Sequence, residues 1–306
     1  MAKYILKRVV AAILTIWVLI TIVFFLVRLM PGEPFTSAKL TPEVKANMEA
    51  YYGFDKPMIV QYGTYMANLL QGDFGYSMKY TNRTVNDLIG ETFPYSADLG
   101  IRGLVMAVSI GLILGIISAR NRGKKIDFFC VIVAVLGTSI PDFIMGAVLQ
   151  YFFGIKWGLF PVARYEGIEY TILPAFALSF YTLASVSRIM RASMLEVTSQ
   201  DYIKTARSKG VSELRITCKH QIRNAIMPVM TVMGPTVASV LTGTFVIESI
   251  FAIPGMGRHY VQSVSNNDYS MVLGMTVFYG IFLVFCNLIV DILYGVADPR
   301  VRIGKK

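Results

Sequence analysis

The sequence predicts an all-α membrane protein with six transmembrane helices, and three observations carry that expectation. The chain of 306 residues is 55% hydrophobic and 16% charged, with a mean hydropathy of +0.56, whereas a soluble domain carries about a quarter charged residues. The apolar residues gather into six long runs, and a hydrocarbon core about 30 Å thick needs roughly 20 apolar residues of helix. Each run is continuously apolar and lacks the alternation of a membrane β-barrel strand. The same composition excludes disordered, fibrous and disulfide-rich secreted classes.

The first run, residues 9–27, follows Lys3, Lys7 and Arg8. It has the basic start of a signal peptide, but it is longer than a typical apolar signal core, and the Arg28-Leu29-Met30-Pro31-Gly32 stretch offers no small-x-small cleavage site. It reads as a retained first helix. The remaining runs are 103–119, 128–155 (interrupted only by Asp142), 171–187, 225–247 and 269–290. No internal repeat is visible.

Six spans put both chain ends on one side. The tails and loops on that side hold Lys3, Lys7 and Arg8; Arg120, Arg122, Lys124 and Lys125; Arg188, Arg191, Lys204, Arg207, Lys209, Arg215, Lys219 and Arg223; and Arg300, Arg302, Lys305 and Lys306. These are 19 of the 29 basic residues, so that side is expected to be cytoplasmic. The outer segment, 31–98, is more acidic than basic. The formal net charge of +10 therefore follows membrane topology and anionic lipid, and a nucleic-acid partner is not expected.

The outer segment should be partly helical. Thr41-Pro42-Glu43 has the pattern of an N-cap, a first-turn proline and a first-turn acid; Val44, Met48 and Tyr51 share a helical face, and Gly53 sits where a C-terminal stop belongs. A second amphipathic run follows Pro57, with Ile59, Tyr62, Met66, Leu69 and Leu70 on its apolar side. Two readings stay open: a lid packed on the bundle, or a docking surface for a partner outside the membrane.

Several chemistries lack their residues. The two histidines, His220 and His259, fall in loops on opposite sides, and Cys130, Cys218 and Cys286 show no CxxC spacing, so no metal site is expected. No Gly-x-x-x-x-Gly-Lys-Ser/Thr occurs, so the chain holds no ATP-binding loop. The Gly111-x-x-x-Gly115 pair permits close helix approach. Asp142, beside Pro141 in the third run, either lines a path for substrate or bonds to backbone groups freed by the proline. Polar groups avoid lipid, so Asp142, Thr138, Ser139, Ser239 and Thr242 are expected toward the interior. Glu248 and Asp291, at the ends of runs, read as structural.

The loop between the fourth and fifth runs is the most informative segment. Thr198-Ser199-Gln200-Asp201 fits a capping box, so a short helix should follow and stop at Gly210. Tyr202, Ile203 and Ala206 give it an apolar face, with Lys204, Arg207 and Lys209 at the edges. Ser212 can cap a second helix leading to Pro228. The first helix either meets a protein partner or lies on lipid.

These residues carry a resemblance. Asp201-Tyr-Ile-Lys-Thr-Ala-Arg-Ser-Lys-Gly210, followed by His220 and Asn224-Ala-Ile-Met-Pro228, resembles the EAA-type loop of bacterial ABC-importer permeases, in particular the dipeptide/oligopeptide permease family. Arg28-Leu-Met-Pro-Gly-Glu-Pro-Phe35 and Gly72-Asp-Phe-Gly-Tyr-Ser77 are similar to that family's outer segment; Glu248-Ser-Ile-Phe-Ala-Ile-Pro-Gly-Met-Gly257, Asp268-Tyr269 and Asp291-Ile-Leu-Tyr-Gly-Val-Ala-Asp-Pro-Arg300 are similar to its last third. The stretch from Pro31 to Thr36 looks more like the oligopeptide B-subunit branch than the dipeptide or nickel branches. Lys204-Thr205-Ala206 stands where the general pattern has Glu-Ala-Ala.

The resemblance implies a type I importer permease of MetI-like fold. Its parts would be a tail and first helix (1–30), an extracytoplasmic segment (31–98), a transmembrane core (99–293) with a coupling loop (191–224), and a cytoplasmic tail (294–306). It implies a homologous second permease, two ATPase subunits that hold ATP and Mg, an extracytoplasmic peptide-binding protein, and a peptide substrate. The chain itself would be no enzyme and carry no cofactor. Asp201, Tyr202, Ile203, Lys204, Thr205, Ala206, Arg207 and Gly210 would engage the ATPases. The rivals are a dipeptide or nickel permease of the same family, a proton-coupled carrier relying on Asp142, and an intramembrane hydrolase, for which no paired catalytic groups occur within the spans.

Overall fold

The computed structural model describes residues 2–29, 53, 55–80, 83–241 and 245–297. Among the described residues, apart from one isolated antiparallel bridge, Tyr76 to Thr84, the regular structure is helical. In chain order the helices used below are α1 (Ala2–Arg28), α2 (Met58–Leu70), α3 (Val85–Arg120), α4 (Lys125–Ser139), α5 (Asp142–Leu149), α6 (Glu169–Thr198), α7 (Asp201–Ser208), α8 (Met227–Leu241), α9 (Phe245–Ile250), α10 (Met256–Ser265) and α11 (Tyr269–Ala297). Widened π-type turns extend α5 to Lys156.

Among the described residues, α1, α3, α6 and α11 are each long and apolar enough to cross a membrane. The third predicted run is broken: α4 and the α5 extension meet at 110°. The cause is Pro141. It has no N–H to continue the ladder, and it holds Ile140 extended at φ −94°, ψ 120°. The fifth predicted run falls on α8 and the start of α9, with residues 242–244 between them outside the described set.

The second span is far longer than its apolar run. Helix α3 starts at Val85 and has 36 residues, about 54 Å at the α-helical rise, so it projects well beyond the hydrocarbon. A capping box fixes its start: Asp87 N–H donates to Thr84 Oγ1 at 3.0 Å, and Thr84 N–H donates to Asp87 Oδ2 at 3.1 Å.

Helix α6 is the axis of the bundle, and α3 packs along it through small residues every fourth position, Gly103, Ala107, Gly111 and Gly115. A Cβ on Gly111 would sit 2.8 Å from the Leu183 carbonyl, and one on Gly115 2.7 Å from both Met190 Cβ and the Ser187 carbonyl. The expected close approach is therefore realised against α6.

Helix α1 lies against α11 through Ile20, Phe24 and Val27. The ion pair Arg8 to Asp291 at 2.7 Å, with the Tyr4 hydroxyl donating to the Asp291 carbonyl at 3.2 Å, brings the start of the chain beside the end of the last helix. Helix α2 packs Tyr62, Tyr65, Met66 and Leu69 on the α1–α11 pair, as the lid reading expects, while Ile59 and Leu70 stay exposed. The first outer helix expected near Thr41 to Tyr51 lies outside the described residues.

Candidate functional site

The loop after α6 forms a small unit of its own. Helix α6 ends at Thr198, and after Ser199 and Gln200 the chain enters α7. Three short helical pieces spanning residues 213–225 then return it to α8. The expected capping box is absent. Gln200 occupies the N-cap with no side-chain bond, because Thr198 is still inside α6 and its hydroxyl donates back to the Met194 carbonyl at 2.6 Å. The expected helix over 198–210 is thus Asp201–Ser208. Ser212 likewise makes no side-chain cap. The stop is as expected: Gly210 has φ +73°, a left-handed conformation that glycine adopts without strain.

The apolar face of α7 points into its own chain. Ile203 is 0% and Ala206 9% exposed; both pack with Ile216, against Val197 and Val211. Ala206 therefore packs on the returning arm. Tyr202 is 44% exposed, and its hydroxyl accepts from Asn224 Nδ2 at 3.1 Å. Asp201, Lys204, Thr205 and Arg207 face outward.

The outward charges are paired within the loop. Lys204 Nζ donates to Asp201 at 2.9 Å, and the Arg207 guanidinium grips Glu213 through bonds of 2.6 and 3.1 Å. These hydrogen bonds hold both carboxyls below their ordinary range. Gln221 Nε2 donates to Thr198 Oγ1 at 3.0 Å and ties the return arm to the end of α6. The result is a short module closed on itself by hydrogen bonds and mounted on α6, with one polar and aromatic face outward.

A second feature lies at the break between α4 and α5. An open cleft of about 400 Å³ is lined by Thr138, Ser139 and Asp142 together with Leu178, Tyr181, Thr182 and Val240. Three of the five expected interior residues meet there. The Ser239 side chain and Thr242 lie outside the described residues, and Val240 brings α8 to the cleft wall. Asp142 lines the cleft, and its carboxylate accepts the Phe143 N–H at 2.9 Å where the ladder is broken, as its backbone-bonding reading expects.

Two of the three buried carboxylates among the described residues join the helices around this region. Asp127, passed over in the sequence, is 5% exposed. It accepts Arg191 Nε and Nη2, each at 2.8 Å, the Ser118 hydroxyl at 2.5 Å and the Gly123 N–H at 2.9 Å. Glu248 is 0% exposed and accepts the Ser96 hydroxyl at 2.7 Å and the Gly257 N–H at 2.9 Å. It sits at the N-terminus of α10, where the helix dipole favours an anion, and it ties that helix to α3. Its carboxylate is buried in the protein interior, where these bonds join α9, α10 and α3. Among the described residues no group of three or more His, Cys, Asp or Glu side chains could hold a metal ion.

Residues 111–303 match the family described as binding-protein-dependent transport system inner membrane component, and residues 1–100 match that family's N-terminal region. The chain belongs to this binding-protein-dependent permease family. It is 45% identical over 307 residues to the dipeptide transport system permease protein DppB of Bacillus subtilis (strain 168), covering 100% of both chains. It is 43% identical to the oligopeptide transport system permease protein OppB of Haemophilus influenzae, covering 99% of this chain and 100% of that one. The fold is also similar to the crystal structure of an amino acid ABC transporter with histidines, with a TM-score of 0.54 and 16% identity over 68% of this chain and 94% of that one. As a member of the permease family the chain is a multi-pass membrane protein, and these curated relatives are transport permeases and not enzymes.

Proposed function

We propose that this permease is one of two membrane subunits of an ATP-driven importer for oligopeptides, and that α7 couples it to the ATPase subunits. The observation that carries the reading is the combination of end-to-end similarity to peptide permeases with a rigid helix held clear of the bundle on the basic side. ATP and Mg belong to two partner ATPases, a homologous permease completes the path, and a peptide-binding protein delivers substrate from outside. Closure of the ATPases pushes α7, and α6 moves with it. The cleft bearing Thr138, Ser139 and Asp142 contributes to the path, where hydroxyls, one carboxylate and apolar walls suit a ligand with a constant backbone and variable side chains.

The substrate is tested by uptake into vesicles holding the complete transporter. Tripeptides and longer peptides should enter in preference to dipeptides. Exclusive uptake of dipeptides, or of nickel, moves the chain to another branch of the family.

Both termini are cytoplasmic in this reading, which rests on the basic-residue asymmetry and on the Arg8–Asp291 contact. Single cysteines replacing the exposed Lys79 and Arg122, in a cysteine-free background, should label differently with an impermeant thiol reagent applied from outside. Lys79→Cys should react and Arg122→Cys should not; the reverse pattern inverts the topology.

A further inference from the structure

We infer that the Asp127–Arg191 pair is the joint through which displacement of α7 reaches the wall of the cleft. The inference rests on the proposed docking of α7 to the ATPases and goes beyond it by naming the positioning residues inside the bundle.

The geometry begins at the end of α6. Arg191 lies on that helix seven residues before its last residue, and α7 follows after only Ser199 and Gln200. The loop is closed on the same helix end by the Gln221–Thr198 bond, so a push on α7 is delivered to α6. The guanidinium of Arg191 holds both carboxylate oxygens of Asp127 in the first turn of α4. That two-bond fork fixes orientation as well as distance. Ser118, near the end of α3, and the Gly123 N–H of the connecting turn bind the same carboxylate, so four chain segments meet at one buried anion.

A second contact makes the coupling mechanical. At Gly137, ten residues further along α4, a Cβ would fall 2.6 Å from Ala184 Cβ and 2.9 Å from the Phe180 carbonyl, so α4 and α6 touch backbone to backbone there. Two attachment points about 15 Å apart along a helix leave α4 no freedom to pivot on α6. The residues that follow the second point are Thr138 and Ser139, and then Asp142 across the break, the polar wall of the cleft. With the joint intact, α4 moves as one body with α6. Without it, the Asn121–Lys124 turn can absorb the displacement while α4 hinges at Gly137.

The test is peptide taken up per ATP hydrolysed, measured on the complete transporter in proteoliposomes for wild type, Asp127→Asn and Arg191→Lys. Asparagine keeps one acceptor oxygen, enough for Ser118 or for the Gly123 N–H but not for both, and loses the charge; lysine keeps the charge but cannot form the fork. Both variants should retain their ATPase subunits and hydrolyse ATP at a rate near wild type, while uptake per ATP falls about tenfold. A purely structural pair would lower protein yield and both activities together and leave the ratio unchanged. An unchanged ratio in the assembled variants overturns the inference, as does loss of the ATPase subunits from both. The docking reading is checked separately with Thr205→Trp on the outward face of α7. If that variant keeps its ATPases and full uptake, the docking reading fails, whatever the ratio in the joint variants.

Discussion

Replacing Gly115 with leucine is expected to force α3 away from α6 and to be among the most destabilising single substitutions in the chain. A Cβ there would lie 2.7 Å from the Ser187 carbonyl and 2.7 Å from Met190 Cβ, with the Arg191 nitrogen at 3.2 Å. Two of those three neighbours are backbone atoms of a helix and cannot rotate away. Overpacking a core costs about 1–3 kcal/mol, and more where the backbone must move. Separation at Gly115 would also open the contact at Gly111 and strain the neighbouring Arg191–Asp127 fork. A large fall in the thermal unfolding temperature of the purified protein is the expected readout. Gly90→Ala is the control, since nothing lies within 4 Å of its added Cβ, and it should leave that temperature unchanged or slightly raised, because alanine favours helix over glycine. A Gly115→Leu variant as stable as wild type would mean that α3 and α6 do not cross there.

The largest functional effect is expected from the outward face of α7. Thr205→Trp places a large ring on an exposed position between Tyr202 and the Arg207–Glu213 pair. The chain should fold and insert normally, because Thr205 is exposed and its hydroxyl bonds only to the Asp201 carbonyl at 3.0 Å within the same helix. In the proposed docking the added ring would stand between α7 and the ATPase, so assembly and transport should both be lost. Ala206→Glu asks a different question. Ala206 is buried on the returning arm, so a carboxylate there would lack a partner and unseat α7 from its own chain. Loss of activity in that variant reports on the integrity of the loop, while loss in Thr205→Trp reports on what the loop touches.

The apolar runs, the stop at Gly210 and the close approach at Gly111 and Gly115 were legible because each depends on local chemistry. The capping box shows the limit of such patterns. Thr-x-x-Asp occurs at both Thr84 and Thr198, yet it caps only at Thr84, where the preceding Arg83 is not helical. At Thr198 the upstream helix continues through the motif, and helix continuation is decided by the packing of α6. The length of α3 was hidden for a related reason: its first four turns mix polar and apolar residues and carry Pro94, so hydropathy alone finds only the part that lies in lipid. Pro141 announced a break but not its angle.

The inward orientation of Ile203 and Ala206 depends on Ile216, which a helical periodicity within 201–208 cannot foresee. Asp127 was missed because its meaning lies in Arg191, 64 residues away. The signal available was modest: an acid in the first turn of a helix, just after a glycine turn. Of the cleft, Thr138, Ser139 and Asp142 were found from polarity alone, while Tyr181 and Thr182 were not, since they sit within an apolar run whose facing side only the bundle defines.

The central claim is that this chain passes the work of ATP hydrolysis to a peptide path through α7. Its most direct measurement is peptide-stimulated ATP hydrolysis by the complete transporter in proteoliposomes, with retention of the ATPase subunits on a tagged permease recorded on the same samples, for wild type and Thr205→Trp. The account predicts stimulation and stable retention for wild type, and loss of both in the variant despite normal folding and insertion. A Thr205→Trp transporter that keeps its ATPases and responds fully to peptide would contradict it, and would leave α7 as a structural part of its own loop.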